Sequence, residues 1–344
     1  MRICCFTSIT YSYLNRARVL GATLKRHHPD WTLWLLVSDV PPDGFSFTLS
    51  DEPWDRVTYV SELEVAKNRG WIFKHDVVEL CTAVKGPFLE MLSGLDFDCI
   101  FYLDPDIAVL NSLSPMLEML DEASILLTPH QIEPDDDELS IWDNEVGSLI
   151  HGTYNLGFIA IRNDDAGRSC AKWWSDRCSR FCFDDKPKGL FVDQKWCDLI
   201  PVFFERVAIV RDPGYNIASW NLNRRKISVS NDGTFLVNDE SPVRFFHFTK
   251  LGPIGDTMTR RYAGSNTEVY ELWAWYKRLV SAATEAAIPE GYWVYGRYSS
   301  GNPISKAARE LYRHRQDLHS AFPDPFDSSN GGYEAWYVHE HRGQ

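Results

Sequence analysis

Tyr102-Leu103-Asp104-Pro105-Asp106-Ile107 is the stretch from which the prediction of the fold starts. The apolar run Cys99–Leu103 predicts a short buried strand, which stops abruptly at the two aspartates. Ligands of open α/β sheets bind at the carboxyl ends of strands, so carboxylates here suit a binding site. Such a pair favours Mg²⁺ or Mn²⁺, which prefer oxygen ligands. The spacing alone leaves a plain turn as the alternative.

The segments around this run predict alternating strands and helices, beginning with a β-α-β unit. The other predicted strands are Ile3–Ser8, Thr32–Ser38, Ser124–Thr128, Leu156–Arg162, Phe203–Val210 and Val243–Phe248. The predicted helices are Tyr13–His28, Asp76–Leu92, Ala166–Phe181, Glu268–Ala287 and Ser305–Phe322. Because the strands stop near Gly264, we expect an α/β domain over 1–264 and a helical C-terminal extension over 265–344 that packs on it.

Composition and charge exclude several classes of protein. The 344 residues are 44% hydrophobic and 24% charged, as in ordinary globular chains. The net charge of -13 argues against nucleic-acid binding, which needs clustered Lys and Arg. A phosphorylated ligand would therefore need a metal to supply positive charge. Most of the eight cysteines lie in apolar segments, and no leader or run of about 18 apolar residues is visible. We expect reduced thiols and a soluble, cytoplasmic protein.

Four short motifs occur in one order and together resemble the family 8 glycosyltransferases, a group that includes glycogenin. They are the "YLDxD" run Tyr102–Asp106, the "FNxG"-like run Tyr154–Phe158, the "DQ" pair Asp193-Gln194 and the "HF" pair His247-Phe248. The resemblance covers roughly residues 1–255. It implies a GT-A-type, Rossmann-like mixed sheet that binds a nucleotide-sugar and is flanked by helices.

Further motifs are similar to an uncharacterised bacterial group of family-8-like transferases found with polysaccharide genes. These motifs are Val192–Trp196, Tyr215–Leu222, Phe245–Phe248, Arg309–Tyr312 and Asp324–Phe326. This second resemblance extends through the C-terminal helices. It implies the fold more strongly than it implies a substrate.

The resemblance to family 8 implies a metal site and a contact with the donor. Asp104, Asp106 and His247 would hold Mn²⁺ or Mg²⁺, with Asp104 also beside the donor. The alternative is that His247 is a core histidine whose hydrogen bonds are satisfied within the protein. Side chains alternate between the two faces of a strand, however, so His247 can point away from its aromatic neighbours. Lys85 would contact the donor, and a solvated helix end is the alternative reading of that residue.

Three polar residues would face the donor sugar by the same resemblance. Asn155, Asp193 and Gln194 are the predicted catalytic residues, with Asn155 and Gly157 also in the donor site. Asp193 is expected to accept a hydrogen bond from a sugar hydroxyl, and its rival role is that of a nucleophile. Because no catalytic base is identifiable and family 8 enzymes retain configuration, we expect transfer with retention at the anomeric carbon.

The sequence departs from the family pattern at two places. The end of the first strand carries Thr7 and Ser8, where the family often has an acidic residue that reads uracil. The donor base is therefore open, with a UDP-sugar favoured. Lys250 follows His247 without the usual Lys-Pro-Trp run and is expected to substitute for its lysine at the diphosphate.

The predicted partners are a nucleotide-sugar donor and a glycan, glycolipid or other lipid-linked acceptor. A basic helix with Lys306, Arg309, Arg313 and Arg315 could make peripheral contact with the inner face of a membrane, and a solvated helix face is the alternative. Two other functions stay open. One is a degenerate carbohydrate-binding scaffold, and the other is a haloacid-dehalogenase-type phosphatase, for which Asp256 would be the nearest later acid.

Overall fold

All the predicted strands except Val243–Phe248 meet in one central sheet of the computed structural model, which describes residues 1–340. In chain order the strands are β1 (Ile3–Ile9), β2 (Thr32–Val37), β3 (Arg56–Tyr59), β4 (Cys99–Leu103), β5 (Ile107–Val109), β6 (Ile125–Pro129), β7 (Tyr154–Arg162), β8 (Asp184–Asp185), β9 (Leu190–Phe191), β10 (Val207–Ile209), β11 (Ile217–Ala218), β12 (Ile227–Val229), β13 (Phe235–Val237), β14 (Ser241–Pro242) and β15 (Phe245–His247). The α-helices are α1 (Leu14–His27), α2 (Arg69–Phe73), α3 (Val77–Ala83), α4 (Lys85–Ser93), α5 (Ser114–Glu122), α6 (Glu138–Ser140), α7 (Gly147–His151), α8 (Asp165–Phe181), α9 (Ile200–Phe203), α10 (Pro253–Ala263), α11 (Thr267–Ala282), α12 (Lys306–His314), α13 (Gln316–Ala321) and α14 (Tyr333–Glu340).

The order of the central sheet, β10-β6-β7-β4-β1-β2-β3, determines which strand ends meet. Strands β3, β2, β1 and β4 are parallel, whereas β7 runs antiparallel to both β4 and β6. Leu103 pairs with Phe158, so the carboxyl end of β4 and the amino end of β7 lie at one edge. A small sheet, β11-β15-β5, begins just beyond Asp106 and pairs His247 with Ile107.

Both faces of the central sheet are buried. Along β1, Cys4 and Phe6 pack on one face, and Ile3 and Cys5 pack on the other. Burial on both sides explains why the strand sequences are continuously apolar rather than alternating. The predicted fold class is confirmed: a mixed sheet flanked by helices, with a helical C-terminal region.

One predicted helix is in fact two. The segment Asp76–Leu92 forms α3 and α4, with a break at Val84. Pro87 explains the break, because proline lacks an N–H and its ring clashes with the carbonyl four residues earlier, that of Ala83. The break starts a new helix at Lys85 and turns that side chain into the protein.

Two other boundaries differ from the sequence prediction. The predicted strand Phe203–Val210 begins with the end of α9, whose Pro201 suits the first helical turn, and only Val207–Ile209 is extended. The predicted helix Ser305–Phe322 is divided into α12 and α13 by the extended backbone of Arg315. In addition, α11 ends at Ala282 rather than Ala287.

The C-terminal region packs into the same hydrophobic cluster as one face of the sheet. Phe73 of α2 has the rings of Tyr298, Tyr312, Phe326 and Tyr333 around it, at centroid distances of 5.1–6.0 Å. The domain boundary near residue 264 stays a prediction, and residues 341–344 of the predicted extension lie outside the described residues. Within residues 1–340, no helix has the length and apolar character needed to cross a bilayer.

The basic helix does not present all its charges to solvent, which limits both the predicted membrane contact and its alternative, a solvated helix face. Arg309 is buried and donates to the backbone oxygens of Phe73, His75 and Tyr295. Arg313 donates to Lys74 O and forms an ion pair with Glu79. Two of the four predicted basic residues therefore hold α12 on the protein and are not available to a membrane.

Candidate functional site

The three predicted metal ligands meet at the edge where β4 ends. Asp104 N donates to Gly157 O at 2.8 Å, which joins the end of β4 to β7. His247 Nε2 lies 2.9 Å from Asp106 Oδ1 and 3.8 Å from Asp104 Oδ2. One ligand atom from each residue lies within 4.8 Å of the other two. The structure therefore brings together residues that are far apart in the sequence.

The donor set of this cluster fits a divalent cation of the Mg²⁺ or Mn²⁺ type. Two carboxylates and one imidazole supply oxygen and nitrogen ligands. Asp104 Oδ1 is held by Tyr102 Oη and by Lys85 Nζ, which leaves Oδ2 on the side of His247. The side chains of Asp104 and Asp106 keep 25% and 14% exposure, so a bound ion would remain open to a further ligand.

A relay of three side chains fixes which nitrogen of His247 faces the carboxylates. His247 Nδ1 lies 3.2 Å from Asn155 Oδ1, and Asn155 Nδ2 lies 3.3 Å from His130 Nε2. His130 Nδ1 in turn lies 3.2 Å from Thr153 O. Burial lowers the pKa of His130 to about 4, so this imidazole is neutral and its Nε2 can accept a hydrogen bond from Asn155 Nδ2. All three contacts are then satisfied when the Nδ1–H of His130 donates to Thr153 O and the Nδ1–H of His247 donates to Asn155 Oδ1. Metal-bound histidines commonly have such a partner, which leaves Nε2 available here as the ligand.

The sequence prediction placed Asn155 beside the sugar and missed His130. In the structure the side-chain amide of Asn155 is engaged by two imidazoles, so its position shows a role in orienting His247. A signal for His130 was present, since it follows β6 directly as Asp104 follows β4. A polar residue at a strand's carboxyl end is the pattern that both share.

Two residues confine the ring of His247. A Cβ at Gly157 would lie 2.6 Å from His247 Cε1, so glycine is needed for the ring to approach β7. The Trp220 ring lies edge-on with its centroid 5.7 Å from that of His247, and its Nε1 donates to His130 O. Gly157 thus makes room for the ring of His247, while its predicted contact with the donor stays a prediction.

The protonation of the cluster follows from its charges. Burial opposes a charged imidazole, but the carboxylates of Asp106 and Asp104 outweigh it and raise the pKa of His247. Burial likewise opposes ionisation of Asp106, but His247 outweighs it and lowers the pKa of that carboxyl. Asp106 and His247 therefore hold a proton between them. A divalent cation would compete with this proton for the same atoms.

Lys85 is buried, so the alternative of a solvated helix end is wrong. Its ammonium lies 3.1 Å from each of three acceptors, Asp104 Oδ1, Asp193 Oδ2 and Leu156 O. Burial alone would lower the pKa of Lys85, but the two aspartates outweigh it and hold that pKa well above its ordinary value. Lys85 donates to Asp104 Oδ1 and Leu156 O and forms an ion pair with Asp193, and its contact with Asp104 fixes the orientation of that carboxylate in this structure. A direct contact with the donor stays a prediction.

Asp193 and Gln194 are both buried behind the metal cluster. Burial raises the pKa of Asp193 to about 6 against the opposing charge of Lys85, so the group is ionised at neutral pH. Gln194 Oε1 accepts from Leu156 N at 3.1 Å, and its Nε2 donates to His151 O at 3.1 Å. Gln194 therefore connects the start of β7 to the end of α7. Its predicted contact with the sugar stays a prediction.

A cavity of about 970 Å³ extends from Asp104 and Asp106. Its walls are the end of β1 and the following turn (Ser8–Tyr13), the outer side of α3, and residues from the segment Pro289–Pro303. Of the predicted donor residues outside the cluster, Ser8 and Lys85 line this cavity. Thr7 is buried behind the wall, and Lys250 is exposed away from it.

No protein-family model matches the chain. The chain is 33% identical over 166 residues to the uncharacterised protein YfnF of Bacillus subtilis (strain 168), an alignment that covers 47% of this chain and 50% of YfnF. It is 25% identical over 332 residues to the uncharacterised protein YfnD of the same organism, with 92% and 91% covered. The chain thus spans about half the length of YfnF and most of YfnD.

The solved structures that the chain resembles are glycosyltransferases. The galactosyltransferase LgtC, in complex with donor and acceptor sugar analogues, has a TM-score of 0.48 at 15% identity over 84% of this chain and 98% of LgtC. The apo form of GlyE from Streptococcus pneumoniae TIGR4 has a TM-score of 0.44 at 15% identity, with 81% and 64% covered. Mouse xyloside xylosyltransferase 1 has a TM-score of 0.38 at 14% identity, with 73% and 98% covered. Because these structural similarities are distant, the function must be argued from the chemistry of the site itself.

The phosphatase alternative lacks its second acidic residue at this site. Asp256 lies in the first turn of α10 and pairs with Lys277 Nζ of α11 at 2.6 Å. Within residues 1–340 the metal-type cluster consists of Asp104, Asp106 and His247. The arrangement therefore suits metal binding better than a phosphatase's nucleophile and acid pair.

Proposed function

We propose that the chain is a metal-dependent, retaining glycosyltransferase of the family 8 type. It would move a sugar from a nucleoside-diphosphate donor, a UDP-sugar first, to a glycan, glycolipid or other lipid-linked acceptor. The observation that carries the proposal is the convergence of Asp104, Asp106 and His247, two of which, the aspartates, line a cavity large enough for a nucleotide. The ordered motifs of the sequence support the family, and cytoplasmic action beside polysaccharide synthesis belongs to the same proposal.

The chain's own residues prepare the site for a diphosphate. Asp104 Oδ2, Asp106 Oδ1 and His247 Nε2 would hold Mn²⁺ or Mg²⁺, which supplies the charge that stabilises a departing diphosphate. Lys85 holds Asp104 in place, and Asn155 keeps Nε2 of His247 directed at the carboxylates. The net charge of -13 makes such a local positive centre necessary for binding an anionic donor.

Retention is supported by the position of Asp193. This carboxylate is 1% exposed and pairs with Lys85, so it is poorly placed to attack a sugar in the cavity. In same-face transfer the acceptor oxygen bonds to the anomeric carbon as the bond from that carbon to the phosphate oxygen breaks. The acceptor's proton passes to the departing phosphate, which makes a protein base unnecessary.

The test is transfer from a panel of α-linked UDP-sugars and GDP-sugars to simple glycosides with Mn²⁺ or with EDTA. We expect transfer in the presence of Mn²⁺ and none in the presence of EDTA. Proton NMR of the first-formed product should show an α-linkage. A β-linked product would contradict retention. Donor binding without any metal-dependent turnover would instead favour the carbohydrate-binding scaffold, and phosphate release that needs no nucleotide-sugar would favour a phosphatase.

A further inference from the structure

The wall of the cavity opposite the central sheet comes from the C-terminal region. Residues of the segment Pro289–Pro303, which follows α11, line the cavity together with Asp104 and Asp106. This wall carries Tyr292, Trp293 and Val294, which are half-buried or exposed. Across the cavity are Tyr13, 41% exposed, and the exposed valines of α3. The side of the cavity away from the metal cluster is thus largely aromatic and aliphatic.

The segment is anchored to the end of β2, and through Asp39 to the turn after β1. Asp39, which follows β2 and is 1% exposed, accepts from Val294 N at 2.9 Å and from Tyr11 N at 3.2 Å. Trp293 Nε1 donates to Ser38 O at 3.2 Å. A carboxylate that binds both walls fixes their spacing, so the cavity is largely formed before a ligand enters.

The position of the metal cluster decides which part of a donor this wall would meet. The diphosphate must lie at Asp104 and Asp106, and His247 and Asn155 lie on the β7 and β15 side of them. The cavity extends to the opposite side, past the end of β1. A flat base suits aromatic and aliphatic walls, whereas a sugar needs many hydrogen-bonding groups.

We propose that the segment Pro289–Pro303 is the nucleoside-binding wall of the donor site and a determinant of which nucleotide is accepted. The inference rests on the proposed function, because it assumes a nucleoside-diphosphate donor. It assigns part of donor recognition to residues outside the α/β segment 1–264. The sheet edge would hold the diphosphate, and the C-terminal region would select the base.

Gly296 offers a direct test because it lines the cavity and has room for a side chain. A Cβ there meets only Trp293 Cε3, at 3.4 Å. Gly94→Leu is a matched control, since a Cβ at Gly94 would meet only Met91 O, also at 3.4 Å. Gly94 lies before β4, at the end of that strand opposite to Asp104. Calorimetry with Mn²⁺ would compare UDP, GDP, dTDP, ADP and CDP with inorganic pyrophosphate. We expect Gly296→Leu to weaken the best-bound nucleotide by at least about tenfold, as overpacking of a filled site does, without changing pyrophosphate affinity.

The outcomes separate this inference from the proposed function. Equal nucleotide affinity in the wild type and in Gly296→Leu would overturn the inference alone. No metal-dependent binding of any of the five nucleotides to the wild type would overturn both. If Gly296→Leu does not fold, hydrogen exchange of the backbone amides of the wild-type protein tests the inference instead. Slower exchange over 289–303 with the best-bound nucleotide, and unchanged exchange over 227–242, would support the wall, and unchanged exchange over 289–303 would overturn it.

Discussion

The metal cluster and the C-terminal wall are built in different ways at two ends of one cavity. The cluster takes residues from three strand ends, and backbone pairing in β4, β7 and β15 sets their positions. The wall is one continuous segment, held by hydrogen bonds to the residues after β2. Strand ends give fixed geometry for chemistry, whereas a loop can change without disturbing it.

This difference has a measurable consequence. Changes around His247 should alter metal affinity, and changes around Val294 should alter nucleotide affinity while leaving the metal alone. Because nucleotide and metal raise each other's affinity, metal affinity is measured without nucleotide and nucleotide affinity at saturating Mn²⁺. Under these conditions each of the next substitutions is expected to affect one property and spare the other, and a substitution that affects both would show that the two regions are coupled.

The largest effect is expected from Gly157→Ala. The added methyl would lie 2.6 Å from His247 Cε1 and 2.8 Å from Asn155 Oδ1, so the imidazole and the amide that holds it must shift. Displacing a ligand should cost more than losing an outer partner, so we expect Mn²⁺ affinity to fall by more than about 100-fold by titration calorimetry. Gly147→Ala is the control, because its Cβ meets nothing within 4 Å. Unchanged Mn²⁺ affinity in Gly157→Ala would contradict the role of His247.

Substitutions in the relay behind His247 should have a smaller effect on Mn²⁺ affinity. We expect Asn155→Ala to weaken Mn²⁺ binding by about 10- to 100-fold, because outer partners of metal-bound histidines contribute that much. His130→Ala acts through Asn155 and should lie at the lower end of the same range. His28→Ala removes another buried histidine, which accepts from Leu113 N away from the site, and should leave Mn²⁺ affinity unchanged. Equal losses in the His130 and His28 variants would argue against the relay.

The dependence of metal binding on pH follows from the proton held by His247. The pKa of His247 is raised above its ordinary value, so the imidazole is charged below that raised pKa and Mn²⁺ must displace a proton. Mn²⁺ affinity should therefore rise by about tenfold per pH unit up to the pKa and level off above it. Calorimetry from pH 5 to 9 would measure this. A flat profile over the whole range would mean that His247 is not a ligand.

The smallest effect is expected at the anchor of the wall. Asp39→Ala leaves Val294 N and Tyr11 N without their acceptor, and each lost bond is worth about 1 kcal/mol. Nucleotide affinity should fall by about fivefold, with Mn²⁺ affinity in the absence of nucleotide unchanged. Asp39→Asn keeps a carbonyl for Val294 N and should restore most of the loss. Full nucleotide affinity in Asp39→Ala would show that the wall needs no anchor.

The sequence predicts the cluster well because its signals are local. A strand that ends at Asp104 and a strand that carries His247 are visible as apolar runs with polar ends. Their meeting depends on the antiparallel course of β7 and on the pairing of β15 with β5, which only the resemblance implied. The second histidine of the relay, His130, was missed because its partner Asn155 is distant in sequence.

The wall and the orientation of Lys85 could not be predicted in the same way. No local pattern connects Val294 with Asp39, which are joined by one long-range hydrogen bond. For Lys85 the sequence left a donor contact and a solvated helix end open, and for Arg309 a membrane contact and a solvated helix face. In the structure Lys85 is buried after the helix break near Pro87, and Arg309 is buried and donates to Phe73 O and Tyr295 O. Tertiary contacts decide the environment of long charged side chains, and periodicity alone does not.

Electron paramagnetic resonance of Mn²⁺ bound to the wild type and to Asp106→Asn, with and without UDP or the best-bound nucleotide, tests the metal site most directly. The substitution keeps the size of the side chain and removes one ligand charge. We expect one Mn²⁺ per wild-type chain, bound more tightly when the nucleotide is present, because each ligand must raise the affinity for the other. Asp106→Asn should lose both the binding of Mn²⁺ and its enhancement by the nucleotide. Wild-type Mn²⁺ affinity in Asp106→Asn, still enhanced by the nucleotide, would contradict a catalytic metal at Asp104, Asp106 and His247.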